Sequence, residues 1–343
     1  MKLLVPYQAL LTALKKCSNI HTESILPALN NFKFIAGKVL SVVVTNLETS
    51  YRYTIMDTTV EQTGITLVDF KLLKILEKTQ AETLSLSIKE NRLVIDYELG
   101  SFFVPIYDLK DYPDIEFKHG NQPVGELFSN YKKVIFAIKP VNPLNNGLTC
   151  INFSNNLIIG ADGECVFIAQ GSNLDCLIPA KLAKVLSIIQ FNFYWTKDNN
   201  KLYFNSEIQA LIITLSEDVY PNMDVVLKKL NSEMFFQTDF NQLKNSIIWA
   251  LSFTDTDEKF VDIIITANSI EILGRDADYC KGSTSLPAFV SGKEATFTIS
   301  GKFVDGLNGM TTNVICYYDI DKHLIWLKDD NENIFLIAAI QKG

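Results

Sequence analysis

The side chains in this 343-residue sequence best placed to do chemistry are lysines. Lys71, Lys74 and Lys78 fall at i, i+3 and i+7, opposite an apolar stripe of Phe70, Leu72, Leu73, Ile75 and Leu76. Lys181 and Lys184 repeat that spacing, and Lys15–Lys16 and Lys132–Lys133 are doublets in similar windows. Ammonium groups on flexible stems attract phosphates without reading bases, and the attraction weakens with salt. Bond-making chemistry is missing around them. His21, His119 and His323 are too far apart for a ligand set. The six cysteines have no Cys-x-x-Cys pair and read as reduced, buried small hydrophobes. The acids of Asp255-Thr256-Asp257-Glu258, Asp319 with Asp321, and Asp329 with Asp330 fall in turns or at strand ends, where solvated carboxylates are common. No glycine-rich phosphate loop, nucleophile elbow or histidine dyad appears. The reading is a non-enzymatic protein without metal or cofactor.

The lysines recur because their windows recur. Residues 6–17, 68–79, 124–138, 178–189, 238–251 and 299–310 each carry helical apolar periodicity, with starts 62, 56, 54, 60 and 61 residues apart. These windows hold eleven lysines and five acids in a chain of net charge −8, so the remainder is more acidic than the whole. The net charge argues against nucleic acid, and its distribution reverses that inference. The two windows after residue 238 are each neutral. Thr238-Asp239-Phe240 opens one of them with a capping residue, and Pro179 suits a first helical turn.

Between windows the period switches to two. Leu84–Ile88 with Leu93–Tyr97, Thr149–Phe153 with Leu157–Ala161, Phe191–Thr196 with Lys201–Asn205, Asp262–Thr266 with Ile270–Leu273, and Val314–Tyr318 with Leu324–Lys328 flank short polar turns, as hairpins do. Two Tyr-Pro elements, Asp111-Tyr112-Pro113-Asp114-Ile115 and Val219-Tyr220-Pro221-Asn222-Met223, each close a strand region about 108 residues apart. Cuts near them give three similar domains, 1–119, 120–231 and 232–343, each holding two helices on antiparallel sheet. The fold class is α+β. Hydrophobic residues at 48% supply ample core. No apolar run reaches the roughly 18–20 residues of a membrane span, and the N-terminus lacks a signal-peptide pattern, so a cytoplasmic protein is expected.

In order and spacing, these motifs resemble the bacterial DNA sliding clamp, the β subunit of the replicative DNA polymerase III. The resemblance rests on Ile25-Leu26-Pro27-Ala28-Leu29, Thr45-Asn46-Leu47-Glu48, Lys110-Asp111-Tyr112-Pro113-Asp114, Gly160-Ala161-Asp162-Gly163 and Val219-Tyr220-Pro221-Asn222, and runs over essentially the whole chain. It implies a homodimer closed head to tail into a ring, with helices lining the hole and sheets outside. It also implies a processivity factor that encircles duplex DNA and tethers the polymerase and clamp loader through short linear motifs.

Carried over position by position, the resemblance implies DNA contacts at Lys15, Lys16, His21, Lys71, Lys74, Lys132, Lys133, Lys181 and Lys184. It implies a partner-peptide groove at Ala161, Gly163, Glu164, Cys165, Val166, Pro221, Val226, Leu336, Ala338 and Ala339. It places subunit closure at Phe102, Phe103 and Ile106 on one side and Trp249 and Leu251 on the other. Two departures stand out. Glu164-Cys165 replaces a basic or polar pair, and Leu336-Ile337-Ala338-Ala339-Ile340 replaces the family's Met-Pro-Met-Arg-Leu end. With the neutral late windows, they support an alternative reading: a clamp-fold interaction scaffold that does not encircle DNA.

Overall fold

The computed structural model describes Met1 to Ile340 except residues 21–23, 142–144, 172, 191, 255–258 and 276–280; residues 341–343 also lie outside the described set. Six copies of one unit follow each other, each a strand, a helical segment and three strands. The first is β1 (Lys2–Pro6), α1 (Tyr7–Ser18), β2 (Asn31–Ala36), β3 (Leu40–Thr45) and β4 (Thr49–Ile55), followed by a short β5 (Thr59–Gln62). The second is β6 (Gly64–Asp69), α2 (Lys71–Leu76), β7 (Thr83–Lys89), β8 (Arg92–Tyr97) and β9 (Gly100–Tyr107). The third is β10 (Gln122–Pro123), α3 (Tyr131–Val134), β11 (Cys150–Ser154), β12 (Leu157–Ala161) and β13 (Cys165–Gln170). The fourth is β14 (Cys176–Pro179), α4 (Ala183–Leu186), β15 (Tyr194–Asp198), β16 (Lys201–Asn205) and β17 (Gln209–Thr214), followed by α5 (Met223–Leu227). The fifth is β18 (Phe235–Gln237), α6 (Phe240–Leu251), β19 (Phe260–Ile265), β20 (Ser269–Arg275) and β21 (Lys281–Pro287), then β22 (Phe289–Ser291). The sixth is β23 (Ala295–Ser300), α7 (Lys302–Asn308), β24 (Val314–Asp319), β25 (Leu324–Asp329) and β26 (Ile334–Ala338).

All six helical windows and all five hairpins read from the sequence are present among the described residues, with two local differences; Phe191, where the sequence pattern begins one strand, lies outside the described residues, and that strand is Tyr194–Asp198. Pro179 ends β14, paired with Cys150, and the helical turn starts at Ala180. The window 124–138 is a four-residue α-helix between two 3-10 segments, Glu126–Asn130 and Ile135–Ala137. Hairpin turns use left-handed residues where the chain must reverse tightly. Glu90 and Asn91 (φ 45° and 62°) and Asn155 and Asn156 (φ 52° and 60°) fit the twist of their strands.

The chain forms two compact units, Met1–Gly125 with Lys184–Leu215, and Glu126–Ala183 with Ser216–Gly343. The first holds one antiparallel sheet in the order β10-β15-β16-β17-β4-β3-β2-β6-β9-β8-β7-β1-β5. The second holds β14-β11-β12-β13-β26-β25-β24-β18-β22 and a separate β21-β20-β19-β23. Helices cover sheet faces. α1 buries Tyr7, Leu10, Ala13, Leu14 and Cys17 against β3 and β4. Each such leucine gains about 1.5–3 kcal/mol from leaving water. α6 buries Phe240, Leu243, Ile247 and Ala250 against β19, β20 and β21, with Asp239 capping it by accepting the Gln242 N–H at 2.7 Å.

The last strand of one copy pairs with the last strand of another. β4 pairs β17 through Thr49–Tyr53 and Gln209–Ile213, and β13 pairs β26 through Cys165–Ile168 and Ile334–Ile337. Two last strands keep an open edge among the described residues. β9 bonds β8 along its length but β6 only at Ile106 and Tyr107. β21 bonds only β20.

Candidate functional site

Three surfaces carry the residues singled out in the sequence. The first is the set of outward helix faces. On α1 the exposed line is Gln8, Thr12 and Lys15, opposite the buried stripe. Lys15 lies 3.5 Å from Glu77, and half-buried Lys16 stands 5.2 Å over the Tyr53 ring. Lys71 and Lys74 are exposed on α2, while Leu72 and Leu76 anchor its other side. Lys132 is exposed and Lys133 half-buried on α3, where Tyr131 and Val134 are buried. Lys181 and Lys184 are exposed beside buried Leu182, Val185 and Leu186. Among the described residues no carboxylate pairs with Lys71, Lys74, Lys132, Lys133 or Lys184. His21 lies outside the described residues.

The late helices differ. α6 turns Asn241, Gln242, Asn245, Ile248 and Trp249 outward and keeps Lys244 half-buried. On α7, Lys302 points to a buried acid instead of solvent. Its Nζ is 2.5 Å from Asp162 Oδ2.

The second surface is built on the Asp162–Cys165 turn. Asp162 Oδ1 accepts the N–H groups of Glu164 and Cys165, each at 2.9 Å, and its side chain has 0% exposure. Gly163, with φ +93°, supplies the left-handed step that lets the chain reverse there. Burial alone would raise the Asp162 carboxyl. The Lys302 hydrogen bond and the Cys165 and Glu164 N–H groups outweigh it and hold the carboxyl below its ordinary value. Glu164 is exposed and paired with Lys139 at 3.0 Å and Lys302 at 3.9 Å. Burial pushes the Cys165 thiol up to about 12, so it stays a neutral packing group.

From that turn β13 runs beside β26, setting Val166 opposite Leu336 and Cys165 opposite Ile337. Ala161 lies opposite Val166 on β12, and the Ala338 N–H donates to the Glu164 carbonyl at 2.9 Å. α5 closes one side. Val226, Tyr220, Leu227 and Val166 pack on a buried cluster of Ile159, Ile168 and Met223. The turn, β13, β26 and α5 thus gather Ala161, Glu164, Val166, Val226, Leu336 and Ala338 into one neighbourhood. Pro221 precedes α5, half-buried, and Ala339 ends the region, half-buried, its N–H donating to the His323 carbonyl. Sequence reasoning missed α5, Lys139 and Lys302. Asn222, which caps α5 through the Asp224 N–H at 3.0 Å, was the available signal for the helix.

The third surface is the pair of open strand edges. On β9, Val104 is buried and Phe102 and Ile106 half-buried, while Phe103 is 58% exposed beneath the Arg92 guanidinium at 4.4 Å. Beside β21, Trp249 (43% exposed) meets Phe253 edge-on at 4.7 Å, and Phe253 fills the space over Gly282. Leu251 is half-buried nearby in sequence. Among the described residues no group of three or more potential ligands could hold a metal ion. Among them, too, no helix is long and apolar enough to cross a membrane.

No family model and no curated protein matches the chain. Solved structures match over its full length. The DNA polymerase sliding clamp from Bacillus subtilis superposes with a TM-score of 0.90 at 17% identity, covering 100% of both chains. Pol III beta from Caulobacter crescentus gives 0.88 at 17% identity, again over 100% of both. The DnaN sliding clamp from Pseudomonas aeruginosa bound to griselimycin gives 0.87 at 13% identity and 100% of both. The chain has the fold of the bacterial sliding clamps.

Proposed function

We propose that this chain is a DNA sliding clamp. Two copies close head to tail into a ring around duplex DNA, each copy contributing domains 1–119, 120–231 and 232–343. The observation that carries the reading is the full-length clamp fold with Lys71, Lys74, Lys132 and Lys184 exposed on its helices, where no carboxylate among the described residues pairs with them. Held by enclosure, DNA needs only weak, sequence-independent attraction, which phosphate-directed ammonium groups supply. Such a ring is not an enzyme. Its product is the residence time of the proteins it tethers.

The apolar strip of Val166, Val226 and Leu336, between the Asp162–Cys165 turn and α5, is the docking groove for short apolar peptides of the polymerase and its loader. The open edges of β9 and β21 supply closure, extending the pairing of last strands already seen at β4–β17 and β13–β26. Phe102, Phe103 and Ile106 then meet the Trp249–Leu251 region of the second copy. A heterologous contact of this kind closes when the rotation per subunit completes a circle. The protein would act where chromosomal or plasmid DNA is copied, in the cytoplasm.

The test is retention on nicked circular DNA, with loss on linearisation, by a particle whose solution mass is that of two 38.7-kDa chains. Equal retention on both forms, or a stable monomer, sinks the reading. The outward face of α6, which carries no exposed cation, favours a second reading, a clamp-fold scaffold that binds proteins alone. It predicts no topological dependence.

A further inference from the structure

The Asp162–Cys165 turn has little to hold it from outside. Gly163 and Glu164 are exposed, and apart from its chain neighbours no atom lies within 4 Å of where a Gly163 Cβ would sit. Beside the Asp162 N–H to Cys165 carbonyl bond at 3.2 Å and the Ala338 N–H on the Glu164 carbonyl, one buried carboxylate ties it down from beneath. Asp162 Oδ1 takes two N–H groups of the turn and Oδ2 takes the Lys302 ammonium. An ionised carboxylate removed from water without a partner costs several kcal/mol. Lys139 alone, 3.8 Å away and more exposed, is a poor substitute for Lys302.

The same turn begins the groove. Its carbonyl at Glu164 receives the Ala338 N–H, and the next two residues set the register of β13 on β26. Lys302 reaches the turn from α7, which also packs on β26. The Phe303 ring lies 5.6 Å from Phe335, and a Cβ on Gly306 would meet the Phe335 ring at 2.2 Å. Helix, turn and strand close a triangle with the ion pair at one corner.

We propose that Asp162 and Lys302 are positioning residues for the groove: their ion pair pins the turn to α7 and so holds Val166, Leu336 and Ala338 in one arrangement. The functional meaning rests on the groove reading above, whereas the test does not. Lys302, although on a helix of the lysine-bearing set, is thereby withdrawn from phosphate contact.

Amide hydrogen exchange by mass spectrometry on the full chain tests it. Lys302→Met and Asp162→Asn should each speed exchange across residues 162–168 and 334–338 by ~10-fold or more, leaving β19 and β20 unchanged, as local opening requires. The pair Asp162→Asn with Lys302→Gln, which restores a neutral amide–amide hydrogen bond, should recover most of the protection. Unchanged exchange in folded Lys302→Met overturns the proposal. So does faster exchange spread equally over β19 and β20, which is global destabilisation. A fluorescein-labelled Ser-Leu-Ser-Leu-Phe peptide separates the two readings. Its affinity should fall about tenfold in Lys302→Met through the weakened turn. Local loosening with no binding by the wild-type chain upholds the positioning role and sinks the groove.

Discussion

Lys302 meets Asp162 across 140 positions of sequence, and the carboxylate it meets is wholly buried. The cation of α7 therefore serves the interior of the protein, while Lys71 and Lys74 of α2 stay in solvent. Six copies of one unit have not kept one use for their lysines. Charge counted along the sequence overstates what is available to a polyanion by at least this residue.

The acid limb of stability should follow Asp162. Its folded carboxyl lies below the ordinary value, so its contribution is whole above an unfolded pKa of about 3.9 and is lost as pH falls through the lower, folded value. The Tm gap between wild type and Asp162→Asn should be constant from about pH 7 to 5 and close below about pH 4. A gap that closes between pH 7 and 5 contradicts the assignment.

If the chain encircles DNA as proposed, reversal of Lys71, Lys74, Lys181 and Lys184 to glutamate should shorten the lifetime on nicked circular DNA while the chain stays folded. Each lost phosphate contact removes about 0.9 from the log–log salt slope, so four should flatten it by roughly 3–4. Lifetimes measured at several salt concentrations check this. An unaltered slope places those ammonium groups away from DNA.

For the proposed two-copy ring, Phe103→Asp should halve the solution mass without unfolding the chain, because the ring of Phe103 is exposed on an open edge and contributes little to its own core. Sedimentation with a melting curve on the same sample separates dissociation from misfolding. A dimer of undiminished affinity moves the seam elsewhere.

Gly274→Ala should destabilise by about 3 kcal/mol or more. A Cβ there would sit 1.8 Å from the Ala250 carbonyl oxygen, where α6 lies directly on β20 and backbone cannot swing aside as a side chain can. Chemical denaturation measures the loss. A change under 1 kcal/mol would show that α6 can lift off the sheet.

The repeating unit was legible because its signals are local. Asn155-Asn156 adopts the left-handed pair a two-residue hairpin turn needs, and the lysine spacing of 71, 74 and 78 matches a helical face. Length was less legible. Residues 124–138 read as one helix, yet Val134, Ile135, Phe136 and Ile138 are weak helix formers, and the segment breaks into 3-10 turns around four α residues. α5 hid behind a Tyr-Pro element that suggested only a strand end. The Asp162–Lys302 pair was invisible for another reason: Asp-Gly reads as any turn, a lysine at a helix start reads as solvated, and only folding sets them together. The open edges emerge by elimination, once every other last strand has a mate.

Those edges have a consequence for the newly made chain. The open stretches of β9 and β21 are ready templates for strand addition, a hazard for any protein at high local concentration. Each is guarded differently. β9 carries Pro105, which cannot donate, and β21 places Lys281, Ser283, Ser285 and Pro287 on its exposed side. Guards of this kind discourage indiscriminate stacking of copies along these two edges.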